Sequence, residues 1–325
     1  MSQVAAGFDP AALKAVLPEW PTDPDRPLST DERAYLSFYG LDFSAELTGL
    51  RHSWGLLPHA TERLLVHFWQ PPETRGTISV LHGYFDHVGL YRHLIGHLLQ
   101  QGYAVMAFDL PGHGLSTGEP AIIDDFADYV AAFERCQREV ASLGPAPYHI
   151  IGHSTGAAVA MEWTLAHGFR RDNAPFQGLV LLAPLVRPAR WHIGRWLYYL
   201  IRLVSPHRQR RFRGNSGDAD FLAFVRDQDP LQSKLLPARW VRALMRWMQR
   251  FVLHQPTDLS PLLIQGRNDE TVDWPYNIAV IQRLFRARVH FLPDACHHLV
   301  NEAPALRAEV FDTLTTYLTN AESTP

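Results

Sequence analysis

The chain has 325 residues, of which 46% are hydrophobic, and its formal net charge is −3. A chain of this length and composition buries a large core, which excludes a disordered protein. Its nearly balanced charge provides no basic surface of the kind that attracts nucleic acid, so we expect no nucleic-acid partner.

The number of cysteines and the N-terminal residues indicate the cellular compartment of the protein. Cys136 and Cys296 are the two cysteines of the chain. They are too few for a disulfide framework and are not spaced as metal ligands, which favours a reducing environment. Residues 1–10 contain neither the basic nor the apolar part of a signal peptide, and no stretch stays uncharged for the roughly 18 residues of a membrane span. We therefore expect a soluble, cytoplasmic protein.

The first 45 residues predict an arm that packs on the rest of the chain. They are rich in proline and acidic residues and contain two short helical patterns, at 11–17 and 30–39. The second pattern begins with an N-cap signature at Ser29. We expect no chemistry from this arm.

Residues 46–184 and 256–325 carry the pattern of an α/β core. Residues 50–57 and 63–69 predict an antiparallel pair of strands at a sheet edge, joined by a turn at 58–61. Short apolar runs then alternate with helical stretches, and these runs are 77–81, 104–110, 149–151, 178–182, 261–265 and 289–292. Such alternation predicts a mostly parallel central sheet flanked by helices on both faces.

Residues 185–255 interrupt this alternation. They show no strand pattern but contain helix-like runs rich in Trp, Leu and Arg, at 191–201, 221–226 and 237–251. The interval is too long for a simple connection and predicts a helical cap. Its aromatic residues either pack on the core or line an acyl-chain pocket, where Trp191 and Trp196 would contact substrate. The basic run 207–213 is either a solvated loop or an edge that transiently touches a membrane surface.

The central motif is Gly-His-Ser-Thr-Gly at residues 152–156, between an apolar strand pattern and a helix-forming stretch. This sequence predicts a nucleophile elbow, in which a strained turn exposes the hydroxyl of Ser154. Gly152 and Gly156 would leave room for neighbouring backbone to pass close by. The alternative is an ordinary strand-to-helix turn, since Gly-x-Ser-x-Gly also arises by chance. A catalytic serine further requires an oxyanion hole, a histidine base and an acid.

The oxyanion hole is predicted at residues 82–87, which read His-Gly-Tyr-Phe-Asp-His after a strand. In hydrolases with such an elbow, one donor is an N–H of this loop and the other is the N–H of the residue after the nucleophile. These rules nominate the backbone amides of Tyr84 and Thr155. His82 and His87 could be mistaken for a metal pair or a base, but we prefer structural roles for them and expect no metal.

The acid and the base are predicted at two later strand ends. Asp269 follows a buried strand at the same end of the sheet as the serine, with Glu270 and Asp273 as rivals. The base must follow the next strand, where two histidines are adjacent. His297 is preferred over His298 because its position relative to the final helix places it where the base is required.

The order Ser154, Asp269, His297 is the nucleophile-acid-base order of the α/β-hydrolase fold. Residues 50–320 thus resemble the monoacylglycerol lipase and lysophospholipase family of serine α/β-hydrolases. The resemblance is carried by these motifs: His82-Gly83…His87, Asp109…Gly112-His113-Gly114-x-Ser116, Gly152-His153-Ser154-Thr155-Gly156, Gly266-x-x-Asp269-x-x-Val272 and His297-x-Leu299-x-x-Glu302. The family typically has Gly-Glu where Phe85 and Asp86 stand.

The resemblance implies an α/β-hydrolase fold with a cap and a serine ester hydrolase that acts on a monoacylglycerol or lysophospholipid through an acyl-enzyme. No metal or organic cofactor is implied. Phe85 and His153 are further candidate substrate contacts near the elbow. The alternatives are a small-ester esterase or thioesterase, a peptidase of the proline-iminopeptidase type and, from another class, a ligand receptor without catalysis. A broad apolar cap surface would suit either a dimer or a lipid interface.

Overall fold

The computed structural model describes residues 7–192, 207–209 and 214–322. Its strands are β1 (Arg51–His59), β2 (Glu62–Gln70), β3 (Gly76–Leu81), β4 (Tyr103–Phe108), β5 (Tyr148–His153), β6 (Gly178–Leu182), β7 (His207–Gln209), β8 (Leu235–Pro237), β9 (Leu262–Gly266) and β10 (Arg288–Leu292). Its α-helices are α1 (Pro10–Val16), α2 (Thr30–Tyr39), α3 (Arg92–Gln100), α4 (Phe126–Leu143), α5 (Thr155–Ala166), α6 (Ala219–Asp227), α7 (Ala238–Phe251), α8 (Trp274–Leu284) and α9 (Pro304–Glu322). Two 3₁₀-helices cover Val88–Tyr91 and Leu299–Asn301.

One sheet carries the fold, with strand order β1-β2-β4-β3-β5-β6-β9-β10. β1 lies at an edge and is antiparallel to β2, and β2 is antiparallel to β4. The remaining neighbours are parallel. The predicted mostly parallel sheet is therefore confirmed, and each predicted core strand lies within two residues of the observed one. The turn between β1 and β2 is shorter than predicted, since pairing continues to His59 opposite Glu62.

Apolar side chains cover both faces of this sheet because parallel strands are buried on both sides. One cluster joins the sheet to α4, α5, α7 and α8, and the other joins it to α1, α2, α3 and α9. The N-terminal arm belongs to the second cluster, in which Leu13 and Tyr35 are fully buried. As predicted, α2 begins at a cap: Ser29 accepts from the amide of Glu32, whose carboxylate accepts from the amide of Ser29.

The interval between β6 and β9 contains α6 and α7, which correspond to the predicted helices at 221–226 and 237–251. The expectation that it contains no strand is wrong, because β7 and β8 form a small antiparallel pair. Three-residue strands are too short to produce a detectable alternation of apolar residues. Of the first predicted helix, Trp191 and His192 are described, and Trp196 lies outside the described residues. Within the described ranges, no helix has the length and apolarity needed to cross a membrane.

Candidate active site

Ser154 lies in the sharp turn between the end of β5 and the start of α5, with φ 51° and ψ −111°. A positive φ at a non-glycine residue is strained and is typical of a nucleophile elbow. The flanking glycines are required by contact: an added Cβ at Gly152 would lie 2.6 Å from the amide nitrogen of Ala157, and one at Gly156 would lie 2.3 Å from the carbonyl oxygen of Leu81. The predicted close approach of neighbouring backbone at both glycines is confirmed.

Three side chains form a continuous hydrogen-bonded chain at this turn. Nε2 of His297 lies 3.0 Å from Oγ of Ser154. Nδ1 of the same ring lies 2.7 Å from Oδ2 of Asp269. The three side chains come from the ends of β5, β9 and β10, which the parallel sheet brings to one edge. A serine hydroxyl, an imidazole and a carboxylate in this order can transfer the hydroxyl proton to the imidazole.

The surroundings of Asp269 keep it ionised. Its oxygens accept hydrogen bonds from the side chain of Gln265 at 3.0 Å and from the backbone amides of Thr271 and Val272 at 2.7 and 3.1 Å. Burial opposes ionisation, but the neighbouring His297 and these hydrogen bonds outweigh it and hold the pKa of the carboxyl below its usual range. A carboxylate here can therefore stabilise an imidazolium at neutral pH.

The rival residues occupy other positions. Glu270 is exposed to solvent. Asp273 forms an ion pair with Arg187 at 2.6 Å. His298 turns away from the serine, and its Nε2 lies 3.2 Å from Oδ2 of Asp86. The geometry thus favours Asp269 and His297 over their rivals.

Close backbone packing brings the acid and the base together. An added Cβ at Gly266, the last residue of β9, would lie 2.2 Å from the carbonyl oxygen of Cys296. The loop that follows β10 therefore crosses directly over the end of β9. Glu302 fixes this loop from the other side: its carboxylate accepts from the amide of Cys296 at 2.6 Å and from the amide of Gly217 at 2.7 Å. The sequence pattern predicts only that Glu302 is a motif residue near the start of the final helix.

The proposed oxyanion donors are the amides of Thr155 and Tyr84, and the loop of Tyr84 passes close to the same turn, since an added Cβ at Gly83 would lie 3.0 Å from Nδ1 of His153. Thr155 is the first residue of α5, where backbone N–H groups lack an intrahelical partner and favour negative charge. The ring of Tyr84 stacks on Trp240 of α7, with centroids 3.7 Å apart, and its hydroxyl donates to the carbonyl oxygen of Ala121 at 2.8 Å. The Tyr84 loop is thus held by the insertion and by the core.

The predicted structural roles of two neighbouring histidines are confirmed. Nε2 of His82 accepts from the amide of Leu110 at 2.9 Å, and its Nδ1 donates to the carbonyl oxygen of Gly83 at 2.7 Å. His87 pairs with Asp229 of the insertion at 2.9 Å. Both rings are buried. They hold the loop that carries Tyr84.

The candidate substrate contacts differ in position. Phe85 is half-buried beside Tyr84, with ring centroids 4.1 Å apart. Trp191 is also half-buried, at the start of the insertion. Nδ1 of His153 lies 2.9 Å from the hydroxyl of Tyr91, and its Nε2 lies 3.0 Å from a backbone carbonyl oxygen. Both ring nitrogens of His153 are therefore engaged within the protein, which leaves neither for a substrate.

A buried polar group behind the candidate triad, here named the Asp86 cluster, consists of Asp86, Tyr91, His153 and His298. In the described part of the chain, Asp86, His153 and His298 form a group with the spacing of metal ligands, because one atom from each lies within 4.8 Å of the others. The sequence pattern did not reveal this cluster. The departure from the family's Gly-Glu at Phe85 and Asp86 was the one signal that pointed to it.

Comparison with known proteins agrees with this geometry. Residues 72–304 match the protein family described as serine aminopeptidase, S33. A monoacylglycerol lipase of Mycolicibacterium smegmatis is 25% identical over 251 residues, which are 74% of this chain and 88% of that protein. An uncharacterized abhydrolase domain-containing protein of Dictyostelium discoideum is 30% identical over 233 residues, 68% of this chain; the match spans 24% of that longer protein.

Solved structures share the fold. A soluble variant of the monoglyceride lipase of Saccharomyces cerevisiae, in complex with a substrate analogue, superposes with a TM-score of 0.69 at 17% identity and covers 82% of this chain and 94% of its own. The predicted α/β-hydrolase fold is thereby confirmed. The family and its named relatives also confirm the predicted class of carboxylic ester hydrolase.

Proposed function

We propose that this chain, which belongs to the serine aminopeptidase S33 family, hydrolyses the ester bond of a monoacyl lipid. The lipid would be a monoacylglycerol or a lysophospholipid. The observation that carries this proposal is the hydrogen-bonded chain from Ser154 through His297 to Asp269, with distances of 3.0 and 2.7 Å. We assign these residues the roles of nucleophile, base and acid.

The reaction would proceed through an acyl-enzyme. Nε2 of His297 accepts the proton of Ser154 as Oγ bonds to the ester carbonyl carbon, and Asp269 stabilises the imidazolium. The backbone amides of Tyr84 and Thr155 donate to the oxyanion. The imidazolium then gives its proton to the departing alcohol, and the acyl group stays on Oγ. A water molecule repeats the sequence, which releases the fatty acid and restores the serine.

The insertion supports an apolar substrate. We propose residues 185–255 as a cap over the core, and α7 buries Trp240, Ala243, Leu244 and Trp247. The stacking of Trp240 on Tyr84 links this apolar helix directly to the proposed oxyanion loop. These side chains pack on the core, where Trp247 stacks on Phe126 of α4. An acyl chain bound beside the contact of Tyr84 with Trp240 would be held by burial of its methylenes, each contributing about 0.8 kcal/mol. Phe85 and Trp191 remain proposed contacts for this chain.

A peptidase activity is the second candidate, because the family carries an aminopeptidase name. Such a site needs free carboxylates for the substrate ammonium. Glu119 instead pairs with Arg239 at 2.8 Å, and Asp227 pairs with Arg226 at 2.7 Å. Asp218 caps α6 by accepting from two of its amides. Glu119, Asp218 and Asp227 are thus already occupied, and the fourth candidate, Asp220, is exposed in the first turn of α6, which favours an ester over a peptide.

The test is hydrolysis by the wild type and by Ser154→Ala across monoacylglycerols, lysophosphatidylcholine, p-nitrophenyl esters of increasing chain length and proline amides. We expect the best turnover on medium or long acyl esters, and a loss of about 10⁶-fold in Ser154→Ala. Ser79→Ala is the matched control, because this buried serine bonds Gln137 at 2.5 Å instead of the triad.

Four results would contradict the proposal. Wild-type turnover in Ser154→Ala would exclude this serine as the nucleophile. Cleavage confined to proline amides would transfer the function to the peptidase candidate, and cleavage confined to acetate or butyrate esters would exclude a lipid substrate. Lack of labelling by a fluorophosphonate, together with no hydrolysis, would favour the ligand receptor.

A further inference from the structure

The Asp86 cluster lies directly behind the proposed triad, and no step of the proposed reaction uses it. Its four side chains are buried. The hydroxyl of Tyr91 lies 3.0 Å from Oδ2 of Asp86 and 2.9 Å from Nδ1 of His153. Nε2 of His298 lies 3.2 Å from the same oxygen of Asp86. A polar group this deep must contribute more than packing, because apolar residues would fill the space without a desolvation cost.

The contact that connects this cluster to the reaction is made by His153. Its Nε2 lies 3.0 Å from the backbone carbonyl oxygen of His297, across 144 positions of the chain. A carbonyl oxygen can only accept, so Nε2 carries the proton of this hydrogen bond. The residue before the proposed nucleophile is thus bonded to the backbone of the proposed base.

The opposite side of the His153 ring is held by the hydroxyl of Tyr91. This hydroxyl donates to Oδ2 of Asp86 at 3.0 Å, and its oxygen lies 2.9 Å from Nδ1 of His153. The same oxygen accepts from the amide of Gly83 at 3.0 Å. Removal of the hydroxyl leaves the ring of His153 without its partner on this side, and removal of the Asp86 carboxylate leaves the hydroxyl without the acceptor that orients it.

We propose that the Asp86 cluster positions His297: it fixes the ring of His153, which in turn fixes the backbone carbonyl of the base. This inference rests on the proposed function. Asp86, Tyr91 and His298 are positioning residues, since they touch neither the serine nor the acid in the proposed triad. A displacement of about 1 Å in a reacting group costs on the order of 10²-fold in rate. The cluster is expected to act on turnover and not on substrate affinity.

The charge state of Asp86 agrees with this role. Burial opposes its ionisation, but His298 and His153 outweigh that effect and hold the pKa of the carboxyl well below its usual range. A buried carboxylate requires hydrogen-bond donors, and the hydroxyl of Tyr91 lies within reach. Loss of that donor leaves a buried acceptor unsatisfied, which forces the surrounding groups to move.

A divalent cation is the competing occupant of the same atoms. Oδ2 of Asp86 lies 3.6 Å from Nδ1 of His153 and 3.2 Å from Nε2 of His298, which resembles the spacing of ligands around a tetrahedral ion. The Tyr91 hydroxyl, however, bonds two of these three groups directly at 3.0 and 2.9 Å. These bonds occupy lone pairs that a cation would need, so we favour the hydrogen-bonded form.

The test uses Tyr91→Phe and Asp86→Asn in the full chain. Tyr103→Phe is the matched control, because Tyr103 is also buried and donates to a carboxylate, that of Glu322 at 2.5 Å, at the opposite end of the sheet from the base. Asp86→Glu is the rescue variant, since the family that the sequence resembles typically has glutamate at this place. We would measure kcat and KM on p-nitrophenyl decanoate, the rate of fluorophosphonate labelling, and the melting temperature.

We expect kcat to fall about 10- to 100-fold in Tyr91→Phe and Asp86→Asn, with KM within about twofold of the wild type and a parallel loss of labelling rate. Tyr103→Phe and Asp86→Glu should keep most of the wild-type kcat. Wild-type kcat in Tyr91→Phe, or an equal loss in Tyr103→Phe, would overturn the inference. Loss of wild-type activity in EDTA that added zinc restores would also overturn it. An inactive, unlabelled wild type would instead contradict the proposed function.

Discussion

Two kinds of ion pair differ in their exposure to solvent. The pairs beneath the proposed active site are buried, whereas those on the outer surface of α7 are exposed, although the distances are similar. His87 and Asp229 lie 2.9 Å apart, and both side chains are 0% exposed. Arg239 and Asp124 lie 2.7 Å apart, with side chains 40% and 67% exposed. Water screens the second pair and not the first, so distance alone does not show which pair contributes more to stability. Burial decides how much each charge contributes.

The same distinction separates the proposed catalytic pair from the pairs that attach α7 to the core. The pair of His297 and Asp269 is buried, with side chains 5% and 0% exposed, and belongs to the first kind. The arginines of α7 belong to the second: Arg250 also pairs with Asp125 of the core at 2.5 Å. We therefore expect changes at buried pairs to alter activity or folding strongly, and changes at the surface pairs to alter the attachment of α7 weakly.

The largest effect is expected for Asp269→Asn. An asparagine cannot stabilise the imidazolium, so kcat should fall by about 10⁴-fold at neutral pH. Asp273→Asn is the matched control in the same loop, because Asp273 pairs with Arg187 outside the triad. The measurement is ester hydrolysis by both purified variants, with thermal unfolding to check their folding. Equal losses in the two variants would contradict the assignment of Asp269 as the acid.

The second effect concerns stability and its dependence on pH. Burial lowers the pKa of His87, but Asp229 outweighs it, assisted by Asp109 and Asp86, and the pKa is raised from 6.5. The pKa of Asp229 is lowered from 3.8: burial opposes this shift, and the charge of His87 and its hydrogen bond outweigh it. The pair therefore stabilises the fold fully between pH 3.8 and pH 6.5, the ordinary pKa values of the two groups. Its contribution is lost at low pH as Asp229 is protonated, and at high pH as the raised pKa of His87 is passed.

Asp229→Asn should accordingly cost about 3–5 kcal/mol in the free energy of unfolding at pH 6. The difference from the wild type should shrink at pH 9, where His87 is closer to neutral in both proteins. Chemical denaturation of the two proteins at both pH values measures it. A difference that stays the same at pH 6 and pH 9 would show that the ion pair does not cause the effect.

The smallest effect is expected at the surface pairs. Arg239→Ala and Arg250→Ala should each change the free energy of unfolding by at most about 1 kcal/mol. The stability of the double variant should depend less on salt than that of the wild type, because salt screens exposed charges. Denaturation at two salt concentrations is the measurement. A cost as large as that of Asp229→Asn would remove the distinction between the two kinds of pair.

The sequence was sufficient where the signal is local. Most core strands are short runs rich in apolar residues, and the elbow around Ser154 is a five-residue motif between a strand and a helix. Asp269 and His297 could be predicted because parallel strands bring their ends to one edge of the sheet. These predictions required the order of the strands along the chain, but they did not require knowledge of how the loops pack.

Contacts between distant loops could not be predicted in this way. His87 and Asp229 are separated by 142 positions and Tyr84 stacks on Trp240 of the insertion. Nothing in the neighbourhood of either residue specifies its partner. The Asp86 cluster has the same origin, since its members come from the loop after β3, the end of β5 and the loop after β10. The short strands β7 and β8 were missed because three residues are too few to show an alternation of apolar and polar residues.

The backbone at Ser154, with φ 51°, has one more consequence. This conformation suits glycine and strains every residue that carries a Cβ. The side chain that we propose as the nucleophile therefore makes the folded chain less stable than a glycine at the same place would. A design procedure that maximised stability alone would replace this serine and would remove the reaction with it. At this position, selection for activity and selection for stability favour different residues.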